Sequence, residues 1–487
     1  MVLGFVAVKY IFKQLGEDAL GIIYFTNMIN GLICVVLEMG ICSTTVREVS
    51  AYFRSDTKYI ENLIRTFSLF YWIAFVLLGV TIYFLSPILV EKWINLKTMD
   101  IATATFVLRA LGISSLLSLP KSFYVSLFRG IQRMEFNNIN DVITSGLQQF
   151  GTILILVAGG NLFHVVYWFI ACHSFNILGY LICSLHFFSL KALLPGYSYD
   201  IVKRNFGFAS RMLMTTIFSM VHTQVDKIII SKLLPIGVVG YYSIAYGSVS
   251  KGGLLGGAIS QASFPAFSAL SRAGNRNKLM IHYRMLQDFT CYTTVLLFAA
   301  IPFCVMPLFS FMFNEKVASL LLLPMTLLSV GFYMNGTLKI PYVFSLAVGK
   351  PGISARSNFY ALFVVLPITV FLVYRWGLTG AGLSLILYHF FMYIYGIPKI
   401  CIECLNFSFW TWYLHISKIF MLIGISYGSA WIAMAIIGNY SIPSLTAAYT
   451  GASIVFMTGS YLMIGEELRG RFSDAVQTLK AIFSKTT

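Results

Sequence analysis

An all-α polytopic membrane protein is the fold class this sequence predicts, and three observations carry it. Apolar runs of about twenty residues recur from end to end of the 487-residue chain, the length a helix needs to cross a hydrocarbon core about 30 Å thick. Charged residues make up only 11% of the chain, so no segment is polar enough, for long enough, to form an aqueous domain. The connections between the apolar runs alternate between rich and poor in Lys and Arg, as they do when successive helices cross in opposite directions.

Taken in order, the spans fall near 1–14, 20–46, 63–88, 101–128, 139–159, 161–188 and 205–233, then 238–267, 286–313, 317–348, 353–374, 378–400, 410–437 and 440–464. That makes about fourteen transmembrane helices. Arg47, Arg54, Lys58 and Arg65 follow the second span, and Arg129 and Arg133 follow the fourth. Lys191, Lys203 and Arg204 follow the sixth, and Arg272, Arg276, Lys278 and Arg284 the eighth. Lys350 and Arg356 continue the series after the tenth, Lys399 after the twelfth, and Arg469, Arg471, Lys480 and Lys485 in the tail. The opposite loops hold only Lys13, Lys92, Lys97, Lys232, Lys316 and Arg375. Even-numbered spans therefore end in the cytoplasm, and both termini are expected there. Two stretches read as interfacial helices: the segment after Thr45, and the tail, where Phe472, Val476, Leu479 and Phe483 recur at helical spacing.

An internal repeat emerges at a shift of 219 residues, which carries Lys13, Leu15 and Gly21 onto Lys232, Leu234 and Gly240. The same shift carries Asn95 and Lys97 onto Asn314 and Lys316, and Ser126, Leu127 and Gly130 onto Ser345, Leu346 and Gly349. Six spans separate the copies, an even number, so the two pseudo-symmetric halves share one orientation about an axis along the membrane normal. In this frame Met1 falls at Met220, inside a helix. The first helix is thus expected to be truncated, by a shortened gene or, the reading favoured, a misplaced start. The N-terminus has no basic n-region, so no cleavable signal is expected.

The net charge of +16 follows from the basic loops and needs no nucleic-acid partner. The eight cysteines lie in or at the ends of apolar runs and read as small core residues. Cys401 and Cys404 form a CxxC without a second pair, and the histidines show no metal spacing, so neither a metal nor a cofactor is expected. There is no nucleotide-binding loop and no nucleophile elbow, which argues against an enzyme.

Charges inside the spans point to function, since each costs roughly 2.5–3.5 kcal/mol at membrane depth even on lenient scales. Arg211, Thr215, Ser219, His222 and Asp226 are spaced by four, four, three and four residues, so they share one helical face within about 80°. Lys251 falls near the middle of the eighth span, too deep to snorkel easily. Lys9 lies in the helix matching the seventh span, one residue off Lys227 in the repeat frame. Asn27, Gly31, Glu38 and Thr45 make a further stripe on the second span. Arg109, Lys121, Lys339 and Lys418 read as snorkelling or paired with neighbours. Basic residues outnumber the deep acids Glu38 and Asp226, so a cavity lined by Lys9, Arg211, His222, Asp226 and Lys251 would favour an anion such as phosphate or pyrophosphate.

Gly16-Glu17-Asp18-Ala19-Leu20-Gly21, followed by LEMGICSTTVREVS from Leu37 to Ser50, resembles the start of the O-antigen and polysaccharide flippases of Wzx type. Gln224-Val225-Asp226-Lys227, then Pro235, Val238-Val239-Gly240-Tyr241-Tyr242 and Ala245, is similar to the same pattern at the start of a second half. These flippases belong to the multidrug/oligosaccharidyl-lipid/polysaccharide exporter superfamily. The resemblance implies an N-terminal lobe (1–190) and a C-terminal lobe (205–405) of six helices each around a central cavity. Two extra helices (410–464) and a cytoplasmic amphipathic tail (465–487) complete the chain. It further implies that spans one, two, seven and eight line the cavity, and that a polyprenyl-pyrophosphate-linked oligosaccharide is flipped to the outer leaflet of the bacterial cytoplasmic membrane. Membrane lipids, a polysaccharide polymerase and a chain-length regulator are the partners it implies.

Two relatives in fold are the alternatives. A multidrug or cation antiporter would be expected to carry deep carboxylates in the first lobe, where span one offers only Lys9. A peptidoglycan-precursor flippase fits the same pattern of residues. A polysaccharide polymerase would be expected to carry a large external loop, and the outer loops here are short.

Overall fold

The computed structural model describes residues 2–438, 440–465 and 469–470, with the side chains of all but 2, 35–39, 208, 211–225 and 272. The helices in chain order are α1 (Val2–Tyr52), α2 (Thr57–Lys92), α3 (Ile101–Ser115), α4 (Ser118–Gly130), α5 (Met134–Val157), α6 (Leu162–Leu185), α7 (Leu190–Leu193), α8 (Tyr199–Leu233) and α9 (Ile236–Ser250). Then come α10 (Leu254–Arg272), α11 (Arg276–Met312), α12 (Glu315–Ala347), α13 (Gly352–Phe391), α14 (Ile397–Ile400), α15 (Phe409–Ile423), α16 (Ser429–Ile437) and α17 (Ile442–Met463). Every expected span falls on one of these helices or on a run of them. Seven stretches among the described residues are long and apolar enough to cross a membrane by length and composition alone. Their outer faces are apolar and exposed, as at Phe84 (68%) and Ile182 (67%), the inverse of a water-facing surface and suited to lipid. The chain is a multi-pass all-α membrane protein.

The chain divides into two compact units, Met1–Ser243 and Ile244–Thr487. In the first, the core lies where Leu63, Phe67 and Tyr71 of α2 meet Phe123, Tyr124 and Phe128 of α4 and Tyr180 of α6. Tyr71 stacks on Phe123 with ring centroids 5.8 Å apart. The first two expected spans are one helix kinked at Gly16, whose φ of 86° and ψ of 178° only glycine adopts without strain. Asp18, just past the kink, is buried and holds the 93–100 connection. Its Oδ2 accepts from the amides of Lys97 (2.8 Å), Thr98 (2.6 Å) and Met99 (3.0 Å) and from the Thr98 hydroxyl (3.2 Å). Burial works to raise the Asp18 pKa, but the three amides and the hydroxyl outweigh it and hold the carboxyl below its ordinary range.

The turn between α8 and α9 is tied to the end of α2. Ile236 N donates to Asn95 O (3.0 Å), Asn95 Nδ2 to Lys232 O (3.1 Å), and Trp93 Nε1 to Ser231 Oγ (3.0 Å). This seats α9 against α1 at Gly21, where a Cβ would fall 2.2 Å from Ile236 O. A Cβ at Gly240 would in turn lie 3.2 Å from Gly21 Cα. The two glycines that the 219-residue shift pairs are therefore in contact. Ser126 and Ser345, also paired by that shift, bond the carbonyls three residues back, at 2.6 and 2.7 Å.

The segment after Thr45, expected as an interfacial helix, instead continues α1 to Tyr52. It is held inward because Glu48 is buried in a cluster of polar partners. Arg47 Nη2 lies 2.6 Å and Arg204 Nη2 3.6 Å from its carboxylate. Tyr59 OH donates to it at 2.7 Å, and the Arg204 guanidinium lies 4.2 Å over the Tyr59 ring. These contacts join the ends of α1, α2 and α8. The expected tail helix beyond 470 lies outside the described residues.

In the second unit α11, α12 and α13 pack side by side, α13 kinking at Gly377 between the eleventh and twelfth expected spans. Pro302, Pro307, Pro324, Pro341 and Pro367 all sit inside helices, as neighbouring helices allow at membrane depth. The last helices dock on α11: Tyr449 OH donates to Leu296 O (2.9 Å), and Phe303 meets Trp431 at 5.4 Å.

Candidate substrate site

The eighth span is not one helix. Residues Lys251–Gly253 form a single 3-10 turn between α9 and α10, at the depth where the sequence places Lys251. The local reason is the run Ser250-Lys251-Gly252-Gly253-Leu254-Leu255-Gly256-Gly257, since glycines favour the helical state by about 1 kcal/mol less than alanine each. Gly253 is the N-cap of α10, and Lys339 of α12 donates to its carbonyl from Nζ at 2.5 Å. The Lys339 stem lies across the glycines, where a Cβ at Gly256 would fall 3.3 Å from Cδ. Lys251 itself is exposed. Among the described residues neither lysine has a carboxylate partner within 4.0 Å. Two cations thus gather at one tightened turn of a spanning segment, Lys251 within it and Lys339 bonded beside it. Irregular turns of spanning helices are where transporters place polar substrates.

In the first unit α8 runs unbroken through 211–226, so positions Arg211, Thr215, Ser219, His222 and Asp226 follow one helical face. The side chains of Arg211, Thr215, Ser219 and His222 lie outside those described, as does that of Glu38. Asp226 is half-buried and is bonded across to α9, Tyr242 OH donating to its Oδ2 at 2.6 Å. Lys9 is half-buried in the first segment of α1. Lys251 belongs to the second unit and the other four residues to the first.

Of the cations expected to be paired or snorkelling, Arg109 donates to Ser86 Oγ (2.9 Å) and stacks on Tyr83 at 4.4 Å. Lys121 meets Asp141 at 2.7 Å, and Lys418 is exposed. Lys339 bonds a carbonyl instead, and it shares the break with Lys251, a role that hydropathy and spacing do not reveal. The doubled Gly-Gly around Lys251 is the signal in the sequence that marks the break. Asp141 likewise does not register among the deep acids, though it faces Lys121 in the first unit. No group of three or more His, Cys, Asp or Glu side chains suited to a metal occurs among the described residues.

Residues 1–271, more than half of the chain, match the family of polysaccharide biosynthesis proteins (Polysacc_synt). The chain belongs to that family. A protein of Shigella flexneri, provisionally named an O-antigen transporter, is 21% identical over 384 residues, covering 78% of this chain and 88% of its own. Among solved structures, the lipid II flippase MurJ in an inward closed conformation covers 95% of this chain and 96% of its own at a TM-score of 0.71 and 15% identity. An inward-facing multidrug resistance transporter of the MATE family and MOP superfamily covers 82% and 94%, at a TM-score of 0.66 and 14% identity. At these identities the two structures establish a shared fold.

Proposed function

We infer that this chain is a flippase that carries a polyprenyl-pyrophosphate-linked oligosaccharide, an O-antigen or capsule repeat unit, from the inner to the outer leaflet by alternating access. Membership of the polysaccharide biosynthesis family and similarity to the protein named for O-antigen transport support the cargo. The observation that carries the chemistry is the broken span at Lys251–Gly253 with Lys339 beside it. A pyrophosphate carries charge that neither leaflet's core will accept, and ammonium groups without a carboxylate partner at an interrupted helix offset it. Lys9, Arg211 and His222 are the residues we propose to meet the pyrophosphate from the first half. Asp226, bonded to Tyr242, holds α8 against α9 beneath them. The two repeated halves, 1–190 and 205–405, would rock to open each side in turn. The lipid tail stays in the bilayer, so membrane lipids are constant partners, and a polymerase and chain-length regulator would act on the delivered unit. We propose the bacterial cytoplasmic membrane as its place, with both termini cytoplasmic, from the loop charges. Transport of a bound solute needs no covalent chemistry from the protein, and the chain is a transporter rather than an enzyme.

Deleting the gene should accumulate the lipid-linked oligosaccharide on the cytoplasmic leaflet and remove surface polysaccharide. In the restored strain, Lys251→Ala and Lys339→Ala should each lower surface polysaccharide at least tenfold with normal protein in the membrane, while Lys251→Arg retains most of it. Normal polysaccharide in both alanine variants would refute the cation site. Arg211→Lys should be tolerated better than Arg211→Ala if charge is what that position supplies.

A further inference from the structure

A cavity of about 350 Å³ lies within the first unit among α1, α4, α5 and α6. For a protein built of apolar spans its lining is unusual: amides, hydroxyls, one ion pair and the His173 imidazole, which is bonded to Ser114 Oγ at 3.1 Å, with Leu117 as an apolar wall. The two charges cancel, Lys121 Nζ standing 2.7 Å from Asp141 Oδ1 with its ammonium 5.7 Å over the Tyr180 ring. A second cation would meet the ammonium, and an anion would meet the carboxylate. The cavity is therefore built for something polar and neutral.

Part of the lining is framework. Asn30 Nδ2 donates to Ser115 O (2.8 Å) and to Ser118 Oγ (3.3 Å), tying α1 to the start of α4. Asn176 Nδ2 donates to Thr144 Oγ1 (2.9 Å), tying α6 to α5. Two amides are left over. Asn27 is exposed and Gln148 half-buried, and among the described residues neither side chain has a hydrogen-bond partner. Each offers two N–H donors and a carbonyl acceptor, the complement of a group that both donates and accepts. Facing the cavity, both amides are available to a ligand that enters it. The cavity volume falls in the range of small-ligand sites.

We propose that this cavity is a subsite for a neutral sugar residue of the transported glycan, its hydroxyls bonded by Asn27 and Gln148 and by the outer edge of the Lys121–Asp141 pair. The assignment rests on the transport reading above and deepens it: the pyrophosphate and the sugar are recognised by different groups. The lysines at the broken span answer charge, and this cavity answers hydroxyl pattern. Sugar selectivity then resides in the first unit.

The test uses the full-length protein in lipid nanodiscs and two probes. One is the free oligosaccharide released by mild acid from the lipid-linked material of the deletion strain; the other is polyprenyl pyrophosphate without sugar. Asn27→Leu and Gln148→Leu should each weaken oligosaccharide binding about tenfold and leave polyprenyl pyrophosphate binding within twofold. Oligosaccharide affinity unchanged in both variants overturns the proposal, as does an equal loss for both probes. If native protein binds polyprenyl pyrophosphate but no oligosaccharide, the subsite is wrong and the transport reading stands. If it binds neither, both fall. Asn27→Ala and Gln148→Ala, smaller changes at the same positions, keep the test decisive should a leucine variant elute as aggregate: they too should weaken the oligosaccharide selectively, and unchanged affinities would overturn the proposal.

Discussion

At the level of single residues, the buried carboxylate of Asp18 does structural work. Asp18 has one oxygen accepting four hydrogen bonds from residues 97–99, and its pKa is held down by them against the opposing effect of burial. A depressed folded-state pKa contributes stability that is present above the unfolded value near 3.9 and is lost as pH falls through the folded value. Asp18→Asn keeps the shape and removes the charge, so at pH 7 it should be less stable by about 1–3 kcal/mol, the worth of hydrogen bonds to a charged group. The gap between native protein and variant should close below about pH 4. Thermal unfolding in detergent at pH 7 and pH 3.5 measures it, and a gap that does not shrink in acid would mean the charge is not the stabilising feature. The sequence shows Asp18 within a family pattern but does not show this role, because the bond partners lie some 80 residues away.

Among the helices, close approach and interruption decide what each element does. Gly21 sits where α1 crosses α9, and a methyl group there would overlap the Ile236 carbonyl at 2.2 Å. Gly31, ten residues along the same helix, has nothing within 4 Å of the place a methyl group would take. Gly21→Ala should therefore lower the yield of monodisperse protein severalfold. Gly31→Ala should leave it unchanged or raise stability by up to about 1 kcal/mol from helix propensity. Size-exclusion profiles of the two variants distinguish the cases, and equal profiles would contradict the crossing. The eighth span teaches the complementary lesson. Hydropathy places it at 238–267, inside the helices that run from Ile236 to Arg272, but is blind to a single 3-10 turn at Lys251, because a change of helical hydrogen bonding leaves the apolar content of the window unchanged.

Across the whole molecule, the fourteen expected spans all correspond to helices, since apolar length is a local property that a bilayer reads directly. The loop charges add a direction. Green fluorescent protein fused after Thr487 should fluoresce, as it does when it stays in the cytoplasm, whereas alkaline phosphatase at that point should be inactive. The reverse pattern would overturn the orientation. The fold shared with a lipid flippase and a drug exporter at 15% and 14% identity shows how little of this architecture depends on particular side chains. The cargo must then be read from polar groups. The groups we propose for that role are the Lys121–Asp141 pair and the amides around it in the first unit, and Lys251 and Lys339 in the second.

Hydropathy and charge are carried by each segment alone, so they suffice for the class of the protein, the positions of its spans, the basic loops between them and the depth of Lys251. The 219-residue register is equally legible along the chain, and with it the pairing of Gly21 with Gly240. Which polar groups meet is settled by packing. Packing bonds Lys339 to the carbonyl of Gly253, sets Asp141 against Lys121, joins Asp226 to Tyr242, and buries Glu48 beside Arg204 of α8. Each of these partnerships spans separate helices or depends on a local break, and hydropathy weighs a charged residue the same whether it is paired or free.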